Sequence, residues 1–134
     1  MLDPETFVLI PYERDVLGLY KAFDVFVHVP IGKYYEAFGQ VYIEALAMGV
    51  PSVFTISGVA ADFVQNGSNA KVVDYQNSED ILLAISSLLA NEKLREGLKE
   101  NGKRDVRRKF DIKTMCRKLE NLYSSGLLKS NMDR

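Results

Sequence analysis

Short apolar runs alternate with segments of helical periodicity along most of this chain. Four runs have the length of buried strands, and proline or turn residues bound most of them: residues 7–10, 24–29, 51–56 and 70–74. Helical patterns separate the first three runs. Because successive strands joined through helices lie parallel, the pattern predicts an α/β fold with a partial parallel sheet of about four strands.

The last third of the chain is predicted to be helical, at about 78–89, 92–109 and 112–122. In the third of these helices the apolar residues share one stripe, which predicts burial. The stripe comprises Ile112, Met115, Cys116, Leu119 and Leu122. We expect one domain over residues 1–125 and a polar tail over residues 126–134.

Composition narrows the functional classes. With 17 basic and 18 acidic residues, the chain has no overall charge that would favour nucleic acid. A single Cys and a single His argue against a disulfide and against a zinc site built from these residues. Neither a signal peptide nor an apolar run long enough for a membrane helix is visible, which favours a cytoplasmic location.

One stretch, from Gly39 to Pro51, has an unusual pattern. Gly39 permits a close turn into a short helix, and Gly49 with Pro51 ends it. Nearly every residue between them is apolar, which is typical of a buried helix, but Glu44 lies in the middle. A carboxylate there needs partners, so it either pairs inside the protein or faces a cleft that a ligand fills.

Two loops are predicted to meet beside this helix, because the carboxyl ends of parallel strands share one edge of a sheet. They are residues 30–39 and 57–61. The free N–H groups at the start of the helix favour an anion, and Glu44 one turn later could accept hydrogen bonds from a ribose. The pattern therefore predicts a nucleotide site. His28 lies near the end of a predicted strand beside this site. It could contact the ligand, although a half-buried structural histidine is the more common role.

Seven residues separate Glu36 from Glu44, and Ala-Leu-Ala-Met-Gly-Val-Pro follows directly. This stretch resembles the E-x7-E signature of retaining glycosyltransferases of the GT-B fold, group 1 or family 4. The resemblance covers most of residues 7–125. It implies the C-terminal half of a GT-B fold with a Rossmann-like sheet, and an incomplete domain that lacks its first two strands. The chain alone is then expected to be inactive.

The resemblance also implies roles for individual residues. Glu36 would be the catalytic residue at the donor sugar, and Glu44 would bind the ribose. The other implied positions are Phe38, Gly39, Gln40 and Val41 for the donor sugar and diphosphate, and Pro11 and Tyr12 near the base. The implied donor is a UDP- or GDP-sugar used without a protein-bound metal.

The implied partners follow from the same family. The acceptor would be a glycan or a lipid-linked sugar, held by a missing N-terminal domain, and no nucleic acid is expected. Peripheral association with the inner face of a membrane would suit such acceptors. An alternative stays open: a non-catalytic α/β interaction module that binds a partner through basic residues of its C-terminal helices. A basic run in the second helix comprises Lys99, Lys103, Arg104, Arg107, Arg108 and Lys109.

Overall fold

The structure is a computed structural model that describes the backbone of residues 3–132 and the side chains of residue 3 and residues 5–125. Its helices are α1 (Val16–Lys21), α2 (Gln40–Met48), α3 (Ser78–Ala90), α4 (Glu92–Lys109) and α5 (Ile112–Met132). Its strands are β1 (Phe26–His28), β2 (Ser52–Phe54) and β3 (Lys71–Val72). Short 3₁₀ turns occupy Pro4–Thr6 and Gly58–Asp62. The side chains of the predicted polar tail, 126–134, lie outside the described residues, and the domain boundary at residue 125 stays a prediction.

The three strands form one parallel sheet in the order β1-β2-β3. The central strand β2 is buried on both faces, because neighbouring side chains of a strand point to opposite sides. Phe54 packs in a cluster with residues of α2, and Val53 packs in another with Ala84 and Leu88 of α3. The α/β class and the parallel sheet predicted from the sequence are confirmed.

Glycine fixes the length and the packing of α2. Gly39 (φ 77°) precedes the helix and Gly49 (φ 70°) follows it, both in the left-handed region that favours glycine. The N–H of Val50 donates to the carbonyl of Ala45, which satisfies one of the last carbonyls of the helix. Helix α4 packs closely against α2, since a Cβ atom added to Gly102 of α4 would lie 3.1 Å from a methyl carbon of Leu46 in α2.

The predicted first strand, residues 7–10, is wrong. These residues form no strand, and their exposed fractions run from 49% for Ile10 to 85% for Val8. Within the described residues no strand pairs with them, and an extended segment without neighbours leaves its backbone hydrogen bonds to water. The sheet therefore has three strands rather than about four.

The apolar stripe of α5 is also placed differently from the prediction. Its large residues, with Tyr123 beside them, are 42–70% exposed instead of buried, and Cys116 is exposed as well. The amphipathic pattern is real, but no element in the described part of the chain covers it. None of the described helices combines the length and the apolar character needed to cross a bilayer.

Candidate donor-binding site at the edge of the sheet

Hydrogen bonds join the two loops that leave the carboxyl ends of β1 and β2. Ser57 is buried, and its Oγ accepts from the N–H of Glu36 and donates to the carbonyl of Lys33, both at 3.0 Å. The N–H of Val59 donates to the carbonyl of Phe38 at 3.1 Å. The prediction that these loops share one edge of the sheet is confirmed. The side chain of Ser57 holds the first loop against the second, a role that the sequence did not indicate.

The start of α2 presents unpaired donors at this edge. Gly39 caps the helix without any side-chain hydrogen bond. Across residues 3–132, no hydrogen bond is donated by the N–H groups of Phe38, Gly39, Gln40 and Val41. Those of Gly39, Gln40 and Val41 lie at the positive end of the helix dipole, where an anion is stabilised.

Glu44 lies one turn further along α2 and is half-buried. Its Oε2 accepts from the hydroxyl of Tyr20 at 3.2 Å, and its Oε1 accepts from Nε2 of Gln40 at 2.8 Å. The sequence left two alternatives for Glu44, pairing inside the protein or a cleft that a ligand fills. The structure shows pairing inside the protein. A carboxylate has roughly four acceptor positions, so two internal bonds leave capacity for a ligand hydroxyl.

Glu36 is held beside His28 at the end of β1. Its Oε1 lies 3.1 Å from Nε2 of His28, within ion-pair distance. The same nitrogen is buried and has no hydrogen-bond partner of acceptable geometry, so the carboxylate lies off the direction of the ring N–H. The pair is a close contact and not an aligned hydrogen bond.

Two tyrosines of this region have raised pKa values. Burial, with a further contribution from the charge of Glu44, raises the pKa of Tyr20 from 10.0 to about 12. Burial also raises the pKa of Tyr42 to about 12, and the charge of Glu36 adds to it. Both hydroxyls therefore remain neutral hydrogen-bond donors over the whole physiological range.

We expect stability to fall in alkali because of these two tyrosines. The unfolded chain ionises its tyrosines near pH 10, whereas the folded chain keeps Tyr20 and Tyr42 protonated up to about pH 12. Between these values the unfolded state binds fewer protons, so the free energy of unfolding decreases as pH rises through the window and is unaffected below it. Urea unfolding at several pH values measures this effect. Ultraviolet titration of Tyr20→Phe, which should lose one late-ionising group, is the control; an unchanged late phase would contradict the assignment.

The remaining predicted positions are less connected to this site. Tyr12 is 78% exposed, and no described hydrogen bond or ring contact ties it or Pro11 to Glu36 or Glu44. A cleft of about 470 Å³ lies between β3 and α3, but none of the site residues lines it. The site is therefore identified by its hydrogen-bonding groups rather than by this cleft.

No metal cluster is apparent in the described residues, where no three His, Cys, Asp or Glu side chains come close enough to hold an ion. The groups that the site offers are backbone N–H donors, two carboxylates and an imidazole. Such a set can bind a diphosphate and sugar hydroxyls directly.

Comparison with known proteins assigns the family. Residues 4–105 match the family described as glycosyl transferases group 1. The capsular polysaccharide biosynthesis glycosyltransferase CapM of Staphylococcus aureus is 34% identical over 123 residues, which are 92% of this chain and 32% of that protein. The chain thus spans about a third of the length of the first curated relatives that it matches.

Solved structures agree on the fold. Anabaena Alr3699/HepE in complex with UDP superposes with a TM-score of 0.77 at 24% identity, covering 84% of this chain and 30% of that one. The C-terminal domain of the group 1 family protein LpcC from Francisella tularensis gives a TM-score of 0.68 at 25% identity, over 79% of this chain and 53% of that one. The chain belongs to the group 1 glycosyltransferases, and its fold is that of the C-terminal domain of GT-B enzymes.

Proposed function

We propose that this chain is the donor-binding part of a retaining hexosyltransferase, which transfers a sugar from a nucleoside diphosphate sugar to a glycan or lipid-linked acceptor. One observation carries the proposal: the N–H groups of residues 38–41, at the start of α2, are unpaired within the described residues, and along the chain they lie between Glu36 and Glu44. In a nucleoside diphosphate sugar, the N–H groups can bind the diphosphate. The carboxylates can bind the hydroxyls of the ribose on one side of it and of the sugar on the other.

The diphosphate is assigned to the start of α2. Negative charge grows on this leaving group as the bond to the sugar breaks, and fixed donors that face it stabilise the transition state. The N–H groups of Gly39, Gln40 and Val41 belong to a helix end whose dipole has the matching sign. Gly39 has no Cβ atom, and the ring of Tyr42 fills that side of the turn: an added Cβ atom would lie 2.7 Å from Cε2 of Tyr42.

The two carboxylates are assigned to the two ends of the donor. Glu44 accepts from the ribose hydroxyls with the capacity that Tyr20 and Gln40 leave free. Glu36, eight residues earlier, contacts the sugar hydroxyls and faces the positive charge that develops on the sugar ring. Pro11 and Tyr12 remain the proposed neighbours of the base.

The relatives suggest which donors to test. Alr3699/HepE has been solved with UDP and with UDP-glucose, so UDP and its sugar conjugates come first and GDP second. The acceptor and the linkage belong to the whole protein. Because the chain spans about a third of its relatives, we infer that turnover needs further regions and that binding is the appropriate measurement.

We expect Glu44→Gln to weaken UDP binding by about 10- to 100-fold, the usual effect of losing hydrogen bonds to a charged group. The amide can still pair with Tyr20 and Gln40, so the fold should persist. Titration calorimetry of the full chain with UDP, GDP and UDP-glucose measures the change. Glu120→Gln, an exposed helical glutamate of α5, is the matched control and should bind as the unmodified chain does.

Two results would contradict the proposal. One is a folded chain that binds none of these nucleotides; the other is a Glu44→Gln variant that binds them with unchanged affinity. Circular dichroism of each variant establishes that the fold is retained.

A second candidate function, the interaction module, is favoured by the surface of the C-terminal helices. Residues 103–118 contain eight Lys or Arg and two acids, while the whole chain is nearly neutral. This basic segment overlaps the exposed apolar stripe of α5. Salt-sensitive binding to nucleic acid or anionic vesicles, with no effect of nucleotides, would support this function instead.

A further inference from the structure

We infer that His28 is a positioning residue for Glu36: its imidazole selects the side-chain orientation in which one carboxylate oxygen is engaged by Nε2 and the other faces the donor sugar. This inference rests on the proposed function and adds a residue to it. Its basis is the close approach of Nε2 to Oε1, 3.1 Å, combined with the burial of that nitrogen.

The imidazole is held rigidly. Its ring stacks nearly parallel to Phe26, at 6.4 Å and 10°, and meets the ring of Tyr42 edge-on, at 4.8 Å and 80°. Tyr42 is itself fixed, because it is fully buried and its hydroxyl donates to the carbonyl of Thr55 at 2.8 Å. A ring held in this way can orient a flexible neighbouring side chain, because the ring itself has little freedom to move.

The backbone of Glu36 is fixed independently. Its N–H donates to Ser57, and Gly58 packs against its carbonyl so tightly that a Cβ atom on Gly58 would lie 2.9 Å from that oxygen. Only the side-chain torsions of Glu36 remain to be set. His28 is the basic side chain within ion-pair distance of this carboxylate among the described residues.

The burial of Nε2 supplies the driving force. A buried polar atom without a hydrogen bond is costly, and the Glu36 carboxylate, 3.1 Å away, is able to satisfy Nε2. A small rotation of the carboxylate towards the N–H direction would convert the present contact into a charge-assisted hydrogen bond. The oxygen that is not engaged then has a defined direction, which is what a sugar-binding carboxylate requires.

The test compares a nucleotide with and without its sugar. His28→Phe keeps an aromatic ring against Phe26 and Tyr42 but removes both ring nitrogens. We expect it to weaken UDP-glucose binding by about tenfold, the effect of one charge-assisted hydrogen bond, and to leave UDP binding unchanged. His28→Gln, whose amide can donate to Glu36, should recover part of the lost affinity, which a purely structural role would not produce.

A second readout does not depend on the donor. His28 is the only histidine in the chain, so its ring nitrogens can be assigned without ambiguity by NMR. Glu36→Gln should change the Nε2 chemical shift at constant pH, and the control Glu120→Gln should not. An unchanged shift, or an equal loss of UDP and UDP-glucose affinity in His28→Phe, overturns the inference. Failure to bind UDP at all overturns the proposed function instead, and the NMR comparison then still decides whether His28 engages Glu36.

Discussion

Replacing Tyr42 with alanine is expected to lower the free energy of unfolding by about 3–5 kcal/mol, the usual cost of truncating a fully buried aromatic residue. Tyr42 is 0% exposed, and its ring meets that of Phe54 at 4.7 Å between centroids. Its hydroxyl ties α2 to the carbonyl of Thr55 just after β2. Because small domains have only about 5–15 kcal/mol of stability, the loss would be a large part of the total. Urea unfolding followed by circular dichroism measures it.

Two controls separate the contributions. Tyr42→Phe keeps the ring and removes one buried hydrogen bond, so we expect a loss of about 1–2 kcal/mol. Tyr123→Ala removes a ring that is 70% exposed and should change stability by less than about 0.5 kcal/mol. If Tyr42→Ala cost no more than Tyr123→Ala, the packing of α2 on the sheet would have to differ from that described.

The features of α2 were predictable because they depend on local chemistry. Gly39 and Gly49 bound the helix in the sequence pattern, and both adopt the positive φ that glycine alone adopts readily. The parallel sheet was predictable for a related reason, since helices between short apolar runs leave few other arrangements. In each case neighbouring residues carry the information.

The wrong predictions share a physical cause. Residues 7–10 have the composition of a buried strand, and α5 has the stripe of a packed helix. Such patterns report that a segment can bury an apolar face, but burial requires a second surface. Within the described residues neither segment has one, so both remain exposed.

The candidate site was partly predictable. The spacing of Glu36 and Glu44 and the turn at Gly39 are visible in the sequence. Two contacts that hold these glutamates are not visible, because they come from distant positions. Ser57, which accepts from the backbone N–H of Glu36, lies 21 residues after it, and Tyr20, which donates to the carboxylate of Glu44, lies 24 residues before it. Only the packing of α1 on α2 and the parallel pairing of β1 with β2 bring such residues together.

Replacing Gly58 with alanine should have the largest combined effect on the fold and the site. Gly58 has φ 55°, and an added Cβ atom would lie 2.9 Å from the carbonyl oxygen of Glu36 and 3.0 Å from that of Phe38. The left-handed conformation costs about 1–2 kcal/mol for a residue with a Cβ atom, and the overlap costs about 1–3 kcal/mol more. We expect a loss of about 2–5 kcal/mol by urea unfolding, together with loss of UDP-glucose binding.

Gly67 provides a control that isolates the overlap. It also has a positive φ, 74°, but an added Cβ atom would meet nothing within 4 Å. Gly67→Ala should therefore show only the conformational cost of about 1–2 kcal/mol and bind UDP-glucose normally. The difference between the variants measures how tightly the loop at Gly58 holds Glu36 and Phe38. Equal losses, with donor binding intact in both, would mean that this contact does not position the donor-binding residues.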